Sequence, residues 1–494
     1  MSPTLRPMFT LLGVAAIPVS FAAASRILSW SPAPRATVEP TAPGTLGPVP
    51  KDLVVGTAAP KPVTTVAGDV TLTARLDRGA VLQGSDGELH VELILKGAEG
   101  ALEQHVPTDL VVVVDRSGSM AGEKLQYARD AVAALADELQ PEDRLAIVSY
   151  DDTVTVDAPL ELATPQARPR WRRVARELND GGSTNISGGL DMASVLLAEH
   201  APDRSRRVML ISDGQPNAGD ASTPGLVGRA RQSALVEAPL TAVGVGLDFN
   251  EDLMRSMAEA GTGNFYFLNT GKNLATLFHE ELKNAGSAVA SSLEIHLPPS
   301  SLQLQDAGGL PIAWEQGGAS VAMGGLSAGQ ERHLWLTLQA PTTTTGPLTL
   351  PPLTVRWKEG GVARSAVLGD GFALNVTADP NVFAASIDQD AWALAVTKDE
   401  YGRLRTDVAT YVKAGDKASA DALLSSYRDR IGSLNHWVGS AEVNDNLRQL
   451  GTLQTEIDDA FQGQNQAEKQ NTWSKRANRS SYVDRQLGAL GYIE

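Results

Sequence analysis

Five oxygen-bearing side chains in three stretches of the chain have the types and spacing to hold a metal ion. Asp115, Ser117 and Ser119 stand at alternate positions, and Thr184 and Asp213 occur in two later loops. All five offer oxygen and none offers nitrogen or sulfur, which favours Mg²⁺, Mn²⁺ or Ca²⁺ over zinc or copper. Three neutral hydroxyls and two carboxylates cannot complete a tight octahedral shell. The predicted site therefore keeps waters and one open position.

Two predicted strands bring these stretches together. Asp115 follows the apolar run at 110–114, and Asp213 follows closely on the run at 208–211. Such continuous runs are typical of strands buried on both faces in the middle of a parallel sheet. The carboxyl ends of parallel strands meet at one edge of the sheet, where doubly wound sheets bind their ligands. We therefore expect both aspartates and the glycine-rich loop at 181–185 to converge there.

The wider pattern predicts an α/β fold flanked by antiparallel strands. Strand and helix patterns alternate from 107 to 285, which indicates a doubly wound, mostly parallel sheet. Residues 68–103 and 287–378 instead alternate apolar and polar positions, as half-buried strands do. We predict that these two segments pair into one β-sandwich into which the α/β domain is inserted. Two separate small β units are the alternative.

The remaining segments carry weaker patterns. Residues 1–25 contain an uncharged run that ends in small residues, typical of a signal peptide or an N-terminal anchor. Residues 31–66 hold eight prolines and are predicted to form a linker. Residues 379–462 show helical spacing and predict a helical region, whereas 463–494 are predicted to be a loose tail. Export to the periplasm, the cell envelope or the medium is the expected destination.

Composition and the absence of other motifs exclude several classes of function. The net charge of −16 and the pI near 5.0 argue against a nucleic-acid-binding surface. The chain has no cysteine, so thiol chemistry and disulfides are excluded. The sequence contains no HExxH motif and no phosphate-binding loop, and Ser119 is not part of a GxSxG motif. We therefore do not expect an enzyme, and no organic cofactor is predicted.

The five positions resemble the metal-ion-dependent adhesion site of the von Willebrand factor type A domain, over roughly residues 107–285. The resemblance rests on the order and context of the stretches Asp115-Arg116-Ser117-Gly118-Ser119-Met120, Gly182-Ser183-Thr184-Asn185 and Ser212-Asp213-Gly214. It implies that Ser117, Ser119 and Thr184 are hydroxyl ligands. It also implies that Asp115 and Asp213 hold the metal directly or through water. Singly, each of these residues could equally cap a helix or close a turn.

The resemblance implies a binding role in which a Glu or Asp of a partner protein fills the open position. A metal held largely by neutral hydroxyls keeps much of its positive charge, so it attracts a carboxylate. We therefore predict an exported protein-interaction or adhesion module that uses a divalent cation, Mg²⁺ first. A cell-envelope scaffold with a purely stabilising metal and a chelatase-type subunit that works with an ATPase are the alternatives. The flanks are also similar to bacterial exported proteins of the calcium-activated chloride channel-like and inter-alpha-trypsin-inhibitor heavy-chain-like classes.

Overall fold

The computed structural model describes residues 59–99, 105–198, 204–246, 249–268, 274–368 and 372–485. The predicted signal peptide or anchor at 1–25, most of the predicted linker, and the end of the predicted tail lie outside these ranges. Within them, no helix combines the length and the apolar character that a membrane span requires.

The α/β part is built on a sheet whose middle strand is buried along its whole length, as the apolar run predicts. The strands in chain order are β5 (Thr108–Asp115), β6 (Arg144–Tyr150), β7 (Val154–Leu162), β8 (Ser205–Ser212), β9 (Leu240–Val245) and β10 (Thr262–Leu268). Their spatial order is β10-β9-β8-β5-β6-β7, and only β7 runs antiparallel to its neighbour. The winding therefore reverses between β5 and β8, which carry or precede the two aspartates. Ligand sites of doubly wound sheets lie at this reversal point.

Helices cover both faces of this sheet because β5 sends alternate apolar side chains to each. Leu110, Val112 and Val114 join one core, and Val111 and Val113 join the other. The helices are α1 (Glu123–Glu138), α2 (Ala167–Glu177), α3 (Ile186–Leu196), α4 (Thr223–Leu235), α5 (Glu251–Ala260) and α6 (Leu274–Gly286). The first core includes residues of α1 and α2, and the second includes residues of α3, α4 and α5.

The flanking strands form a sandwich of two antiparallel sheets around one shared core. The strands of the first sheet are β1 (Val63–Ala67), β2 (Val70–Leu76), β4 (Glu88–Gly97), β12 (Gln303–Ala307) and β15 (Glu331–Gln339). Those of the second are β11 (Ala288–Leu297), β13 (Ile312–Glu315), β14 (Gly318–Ser327), β17 (Leu353–Glu359) and β18 (Val362–Leu368). The first sheet has the order β1-β2-β4-β15-β12, and the second has the order β13-β14-β11-β17-β18. A smaller sheet comprises β3 (Ala80–Leu82), β16 (Gly346–Thr349) and β19 (Ala373–Thr377).

The α/β domain is an insertion into this sandwich, as predicted. The chain leaves the sandwich after β4 and re-enters it at β11. Strand β4 pairs along its length with β15, which lies beyond the insertion in the chain. The segments before and after the α/β domain therefore share one sheet, and the alternative of two separate β units is wrong.

A helical region follows the sandwich. It comprises α7 (Pro380–Ala385), α8 (Gln389–Leu394), a π-helical turn (Ala395–Glu400), α9 (Tyr401–Lys413), α10 (Lys417–Val438), α11 (Ala441–Ala460) and α12 (Gln466–Arg485). Its core includes Trp392, Val408 and Ile431.

Two predicted segment assignments are wrong in part. The predicted tail at 463–494 is helical from Gln466 to Arg485, because Trp473 and Ala477 are buried in the core of the helical region and Tyr482 is buried in a core of the α/β domain. The predicted linker at 31–66 is already a strand from Val63, which pairs with β2 and carries β-branched residues that favour strands.

Candidate functional site

The turn after β5 fixes the carboxylate of Asp115 at the sheet edge. Its Oδ1 accepts a hydrogen bond from the backbone N–H of Ser117 at 2.9 Å, and its Oδ2 accepts one from the hydroxyl of Ser212 at 2.6 Å. The chain then forms a short 3₁₀ turn, Gly118–Met120, which brings the hydroxyl oxygens of Ser117 and Ser119 to 3.1 Å from each other. Asp115 is therefore held in one orientation beside two hydroxyls.

The loop that carries Thr184 is bonded to this turn through its backbone. Gly118 N–H donates to the carbonyl of Gly182 at 3.1 Å, and Gly181 N–H donates to the carbonyl of Arg116 at 2.8 Å. The N-cap of α3 is Asn185, whose side chain accepts from Gly188 N–H. The hydroxyl of Thr184 is therefore not used for capping, so this alternative for Thr184 is wrong.

The third loop brings Asp213 to the same edge. Asp213 is 1% exposed, and its backbone carbonyl accepts from the N–H of Asn250 at 3.1 Å. Its Oδ2 accepts from Lys124 Nζ at 3.2 Å, whereas Oδ1 has no hydrogen-bond partner among the described residues. The chain turns away at once because Gly214 has a φ of 65°, in the left-handed region that glycine adopts readily.

The two carboxylates influence each other electrostatically. Burial raises the pKa of Asp115, and the negative charge of Asp213 raises it further, whereas hydrogen bonds from Ser117 and Ser212 lower it. Like charges at a buried edge repel unless a cation lies near them. The arrangement thus disfavours two bare carboxylates and favours a bound positive charge.

The residues present fit a hard divalent cation. Their donors are carboxylate and hydroxyl oxygens, and a buried carboxylate oxygen without a partner is costly unless something binds it. Hydrogen bonds link Asp115, Ser117 and Ser119, and Asp213 directly follows Ser212, which donates to Asp115. The structure places Thr184 beside them through the loop contacts, with Thr184 N–H donating to Asn217 Oδ1 at 2.7 Å.

Sequence reasoning missed two functional residues, Ser212 and Lys124. Ser212 ends β8 and donates to Asp115, and its position directly before Asp213 could have indicated such a role. Lys124 lies in the first turn of α1, where the helix dipole disfavours a positive charge. A lysine at this unfavourable position is a sign that a nearby anion, here Asp213, compensates it.

Neighbouring acidic residues support the loops. Asp151 forms an ion pair with Arg116 at 2.7 Å. Asp152 Oδ1 accepts from Ser183 N–H at 3.0 Å, and hydrogen bonds from Ser183 lower the pKa of Asp152. The turn between β6 and β7 thus holds both the Asp115 turn and the Thr184 loop in place.

Comparisons with known proteins agree with this geometry. Residues 109–280 match the family model of the von Willebrand factor type A domain. The uncharacterized protein sll0103 of Synechocystis is 24% identical over 365 residues, which are 71% of this chain and 84% of that protein. Human inter-alpha-trypsin inhibitor heavy chain H3 is 31% identical over 160 residues, or 31% of this chain and 18% of that protein.

Solved structures extend the fold similarity beyond the matched domain. A von Willebrand factor type A protein from Catenulispora acidiphila is 18% identical with a TM-score of 0.58, over 81% of this chain and 91% of that one. The ArnB paralog VWA2 from Sulfolobus acidocaldarius is 15% identical with a TM-score of 0.53, over 85% of this chain and 99% of that one. At these identities the similarity shows a common fold alone. The matched segment spans only 18% of the human heavy chain, so similarity to that protein covers the domain and not the whole molecule.

The strand order, the sheet-edge loops and the family match agree that residues 109–280 form a von Willebrand factor type A domain.

Proposed function

We propose that this protein is an exported interaction module that holds a divalent cation and uses it to bind an acidic residue of a partner protein. Von Willebrand factor type A domains are a protein-interaction and adhesion family, which supports the binding role. The cation would be held by Asp115, Ser117, Ser119, Thr184 and Asp213, with Mg²⁺ preferred and Mn²⁺ or Ca²⁺ as alternatives. The observation that carries the proposal is the buried Oδ1 of Asp213, which has no hydrogen-bond partner in the described part of the chain.

The residues around the site would have different roles in binding the cation. Ser212 and the Ser117 N–H orient Asp115, so that its charge is fixed before any ion arrives. The hydroxyls of Ser117 and Ser119 supply neutral oxygen, which leaves the positive charge of the ion largely uncancelled. When bound, the ion supplies a positive centre that attracts a carboxylate from outside.

We propose binding rather than catalysis because the acidic side chains beside the site are committed to structural bonds. Asp151 is paired with Arg116, and Asp152 binds the backbone of Ser183. Metal-assisted hydrolysis needs a group that takes a proton from water, and neither carboxylate stands free for it. Export remains part of the proposal, supported by the uncharged N-terminal run.

One observation favours the scaffold alternative. Lys124 Nζ lies 3.2 Å from Asp213 Oδ2, so the site already has a cation of its own. If this ion pair stabilises the edge sufficiently, a metal would add rigidity without contacting a partner. The two roles differ in what cation removal does, because only the adhesion role requires the cation for capture.

Affinity capture separates these roles. The full chain is immobilised and incubated with solubilised native membranes in Mg²⁺, in EDTA, and in Mg²⁺ with Asp115→Ala. Capture that appears only for the unaltered chain in Mg²⁺ and elutes with EDTA supports the proposal. Asp191→Ala, an exposed aspartate of α3 paired with Arg229, is the matched control and should capture normally.

Unchanged capture in all three conditions would contradict a metal bridge. A lower melting temperature in EDTA with unchanged capture would identify the scaffold role instead. Capture of an ATPase to the same extent in Mg²⁺ and in EDTA would favour the chelatase-type alternative.

A further inference from the structure

A largely buried group of charged side chains, here called the interface cluster, joins the β-sandwich to the helical region. Its centre is His90 on β4, which is 1% exposed. Glu400 approaches it from the end of the π-helical turn, on the other side of the interface. The members of the interface cluster are Asp77, Arg78, Glu88, His90, Asp306, Asp399, Glu400, Arg403, Arg430 and Arg485.

Both ring nitrogens of His90 face carboxylates. Nδ1 lies 3.2 Å from Asp77 Oδ2, and Nε2 lies 3.7 Å from Glu88 Oε1 and 3.7 Å from Glu400 Oε1. Nε2 has no hydrogen-bond partner among the described residues. A neutral imidazole has a lone pair on one nitrogen, and here that lone pair would point at a carboxylate. Only the doubly protonated ring offers a proton to each side.

The charges of the interface cluster lead to the same protonation state. Its carboxylates are Asp77, Glu88, Asp306, Asp399 and Glu400, and its guanidiniums are Arg78, Arg403, Arg430 and Arg485. One negative charge is therefore left over unless His90 is charged. A buried uncompensated charge is strongly unfavourable, and one proton on His90 removes the imbalance.

A divalent metal fits this place less well than a proton. Glu88 Oε1, which faces His90, also accepts from Arg403 Nη2 at 3.0 Å, and Arg430 pairs with the other oxygen of Glu400. An ion between the ring and these carboxylates would stand close to two guanidiniums. It would also leave one surplus positive charge in the interface cluster. The two carboxylates are thus already neutralised by arginine.

We infer that His90 is held as an imidazolium and acts as a pH-sensitive link between the β-sandwich and the helical region. Protonated, it attracts Glu400 of the helical region and Glu88 of the sandwich at once. Deprotonated, it attracts neither of them, and the interface cluster keeps one uncompensated negative charge. The helical region would then dock less firmly as the solution becomes alkaline.

The direction of the pH effect follows from the environment of His90. Burial lowers the pKa of this imidazole, but the hydrogen bond and charge of Asp77, with the charges of Glu400 and Glu88, raise it to about 8 from 6.5. A pKa raised by folding stabilises the folded state below the ordinary value, and this contribution is lost as the pH rises through about 8. The gap corresponds to an about 30-fold change in the unfolding equilibrium constant.

Urea unfolding of the full chain between pH 6 and pH 9.5 tests this inference. The stability difference between wild type and His90→Gln should be largest near pH 6. The ratio of their unfolding equilibrium constants should change by about 30-fold between pH 6 and pH 9.5. Burial lowers the pKa of His333, but the hydrogen bond and charge of Glu92 raise it above its ordinary value. Because His333 is present in both wild type and His90→Gln, its contribution cancels in the stability difference. His279→Gln is the control, because His279 is an exposed histidine paired with Glu138 on the surface.

A second readout places the effect at the interface. Amide hydrogen exchange at residues 395–413 should speed up in wild type above pH 8, after correction for the intrinsic pH dependence of exchange. The same residues should exchange faster in His90→Gln already at pH 7, with 115–119 unchanged.

Three results would overturn the inference. The first is a stability difference that stays constant from pH 6 to pH 9.5. The second is an NMR titration of histidine-labelled wild type in which His90 is neutral at pH 7, which remains measurable if His90→Gln fails to fold. The third is a rise in melting temperature with micromolar Zn²⁺ that is absent in His90→Gln, which would identify a metal site.

Discussion

The carboxylates in two polar regions of this protein differ in how completely they are paired. At the sheet edge, Asp115 and Asp213 lie together, and one oxygen of Asp213 has no partner among the described residues. In the interface cluster, each carboxylate is paired with a guanidinium or faces His90. Burying a charge is costly in both places. The interface cluster offsets this cost with partners inside the chain, whereas the sheet edge has a carboxylate oxygen that we propose an outside cation binds.

The positions of the two regions in the fold explain the contrast. The sheet edge is formed by loops at the reversal point of the winding, where backbone turns can leave side chains facing solvent. The interface cluster lies between a paired strand and packed helices, where its carboxylates find guanidinium partners within the chain. The same side-chain type thus becomes a candidate ligand in one place and a structural ion in the other.

The largest expected effect is on stability, at Asp399 of the interface cluster. Asp399 is fully buried and accepts from Arg485 Nε at 2.8 Å and from the Thr337 hydroxyl at 3.1 Å. Asp399→Ala removes one of the two carboxylates that pair with the buried guanidinium of Arg485 and should lower the free energy of unfolding by about 3–5 kcal/mol in urea titrations. Asp137→Ala, at an exposed pair with Arg172, should change nothing measurable. Equal effects of the two substitutions would show that the buried ion pair of Asp399 does not stabilise the folded state.

The next effect is on cation binding, at Asp213. Asp213→Asn keeps the size of the side chain but removes the charge that faces the proposed ion. We expect Mn²⁺ affinity, measured by calorimetry, to fall at least about 100-fold, or about 2.7 kcal/mol. Folding should be retained, since repulsion with Asp115 is also removed. Unaltered Mn²⁺ affinity would remove Asp213 from the site.

A smaller loss is expected at Ser212, which positions a ligand without being one. Ser212→Ala removes the hydroxyl that donates to Asp115 Oδ2 at 2.6 Å. Groups that orient metal ligands are typically worth 10–100-fold in affinity, and we expect about tenfold here. Ser222→Ala, which removes the N-cap hydroxyl of α4 and its hydrogen bond to Asp220, is the control for the loss of a serine hydroxyl. A full loss of binding in Ser212→Ala would make it a ligand rather than a support.

The smallest effect is a gain at Lys124. Its ammonium lies 3.2 Å from Asp213 Oδ2 and is partly exposed, so it competes with a bound ion only modestly. Lys124→Gln should raise Mn²⁺ affinity up to about fivefold, as expected from an ion pair worth at most about 1 kcal/mol. Lys413→Gln, at the exposed pair with Asp252, should leave the affinity as it is. A weaker affinity in Lys124→Gln would mean that the lysine helps to assemble the site.

Sequence reasoning reached the fold and the five candidate ligands because those depend on local pattern. Five apolar residues before Asp115 predict the buried strand, and the strand lies in the middle of the sheet. The order of strands and helices predicts the doubly wound sheet without further information. Pairing of the segments on either side followed from their shared alternation, and β4 indeed pairs with β15.

The rest could not be read from local pattern, because tertiary contacts decide it. Helix α12 is polar and reads as loose, yet Tyr482 packs edge-on against Phe265 of β10, with ring centroids 6.4 Å apart. Lys124 and Asp213 are 89 residues apart, so nothing in the sequence joins them. His90 and Glu400 are farther apart still, and only the docking of the helical region brings them together.

Anomalous scattering from crystals grown in Mn²⁺ tests the central claim most directly. The claim predicts one strong peak at the carboxyl edge of the sheet, within coordination distance of oxygens of Asp115, Ser117, Ser119, Thr184 and Asp213. It predicts no peak beside His90. The absence of a peak at the sheet edge, or a peak between His90, Glu88 and Glu400 in its place, would contradict it.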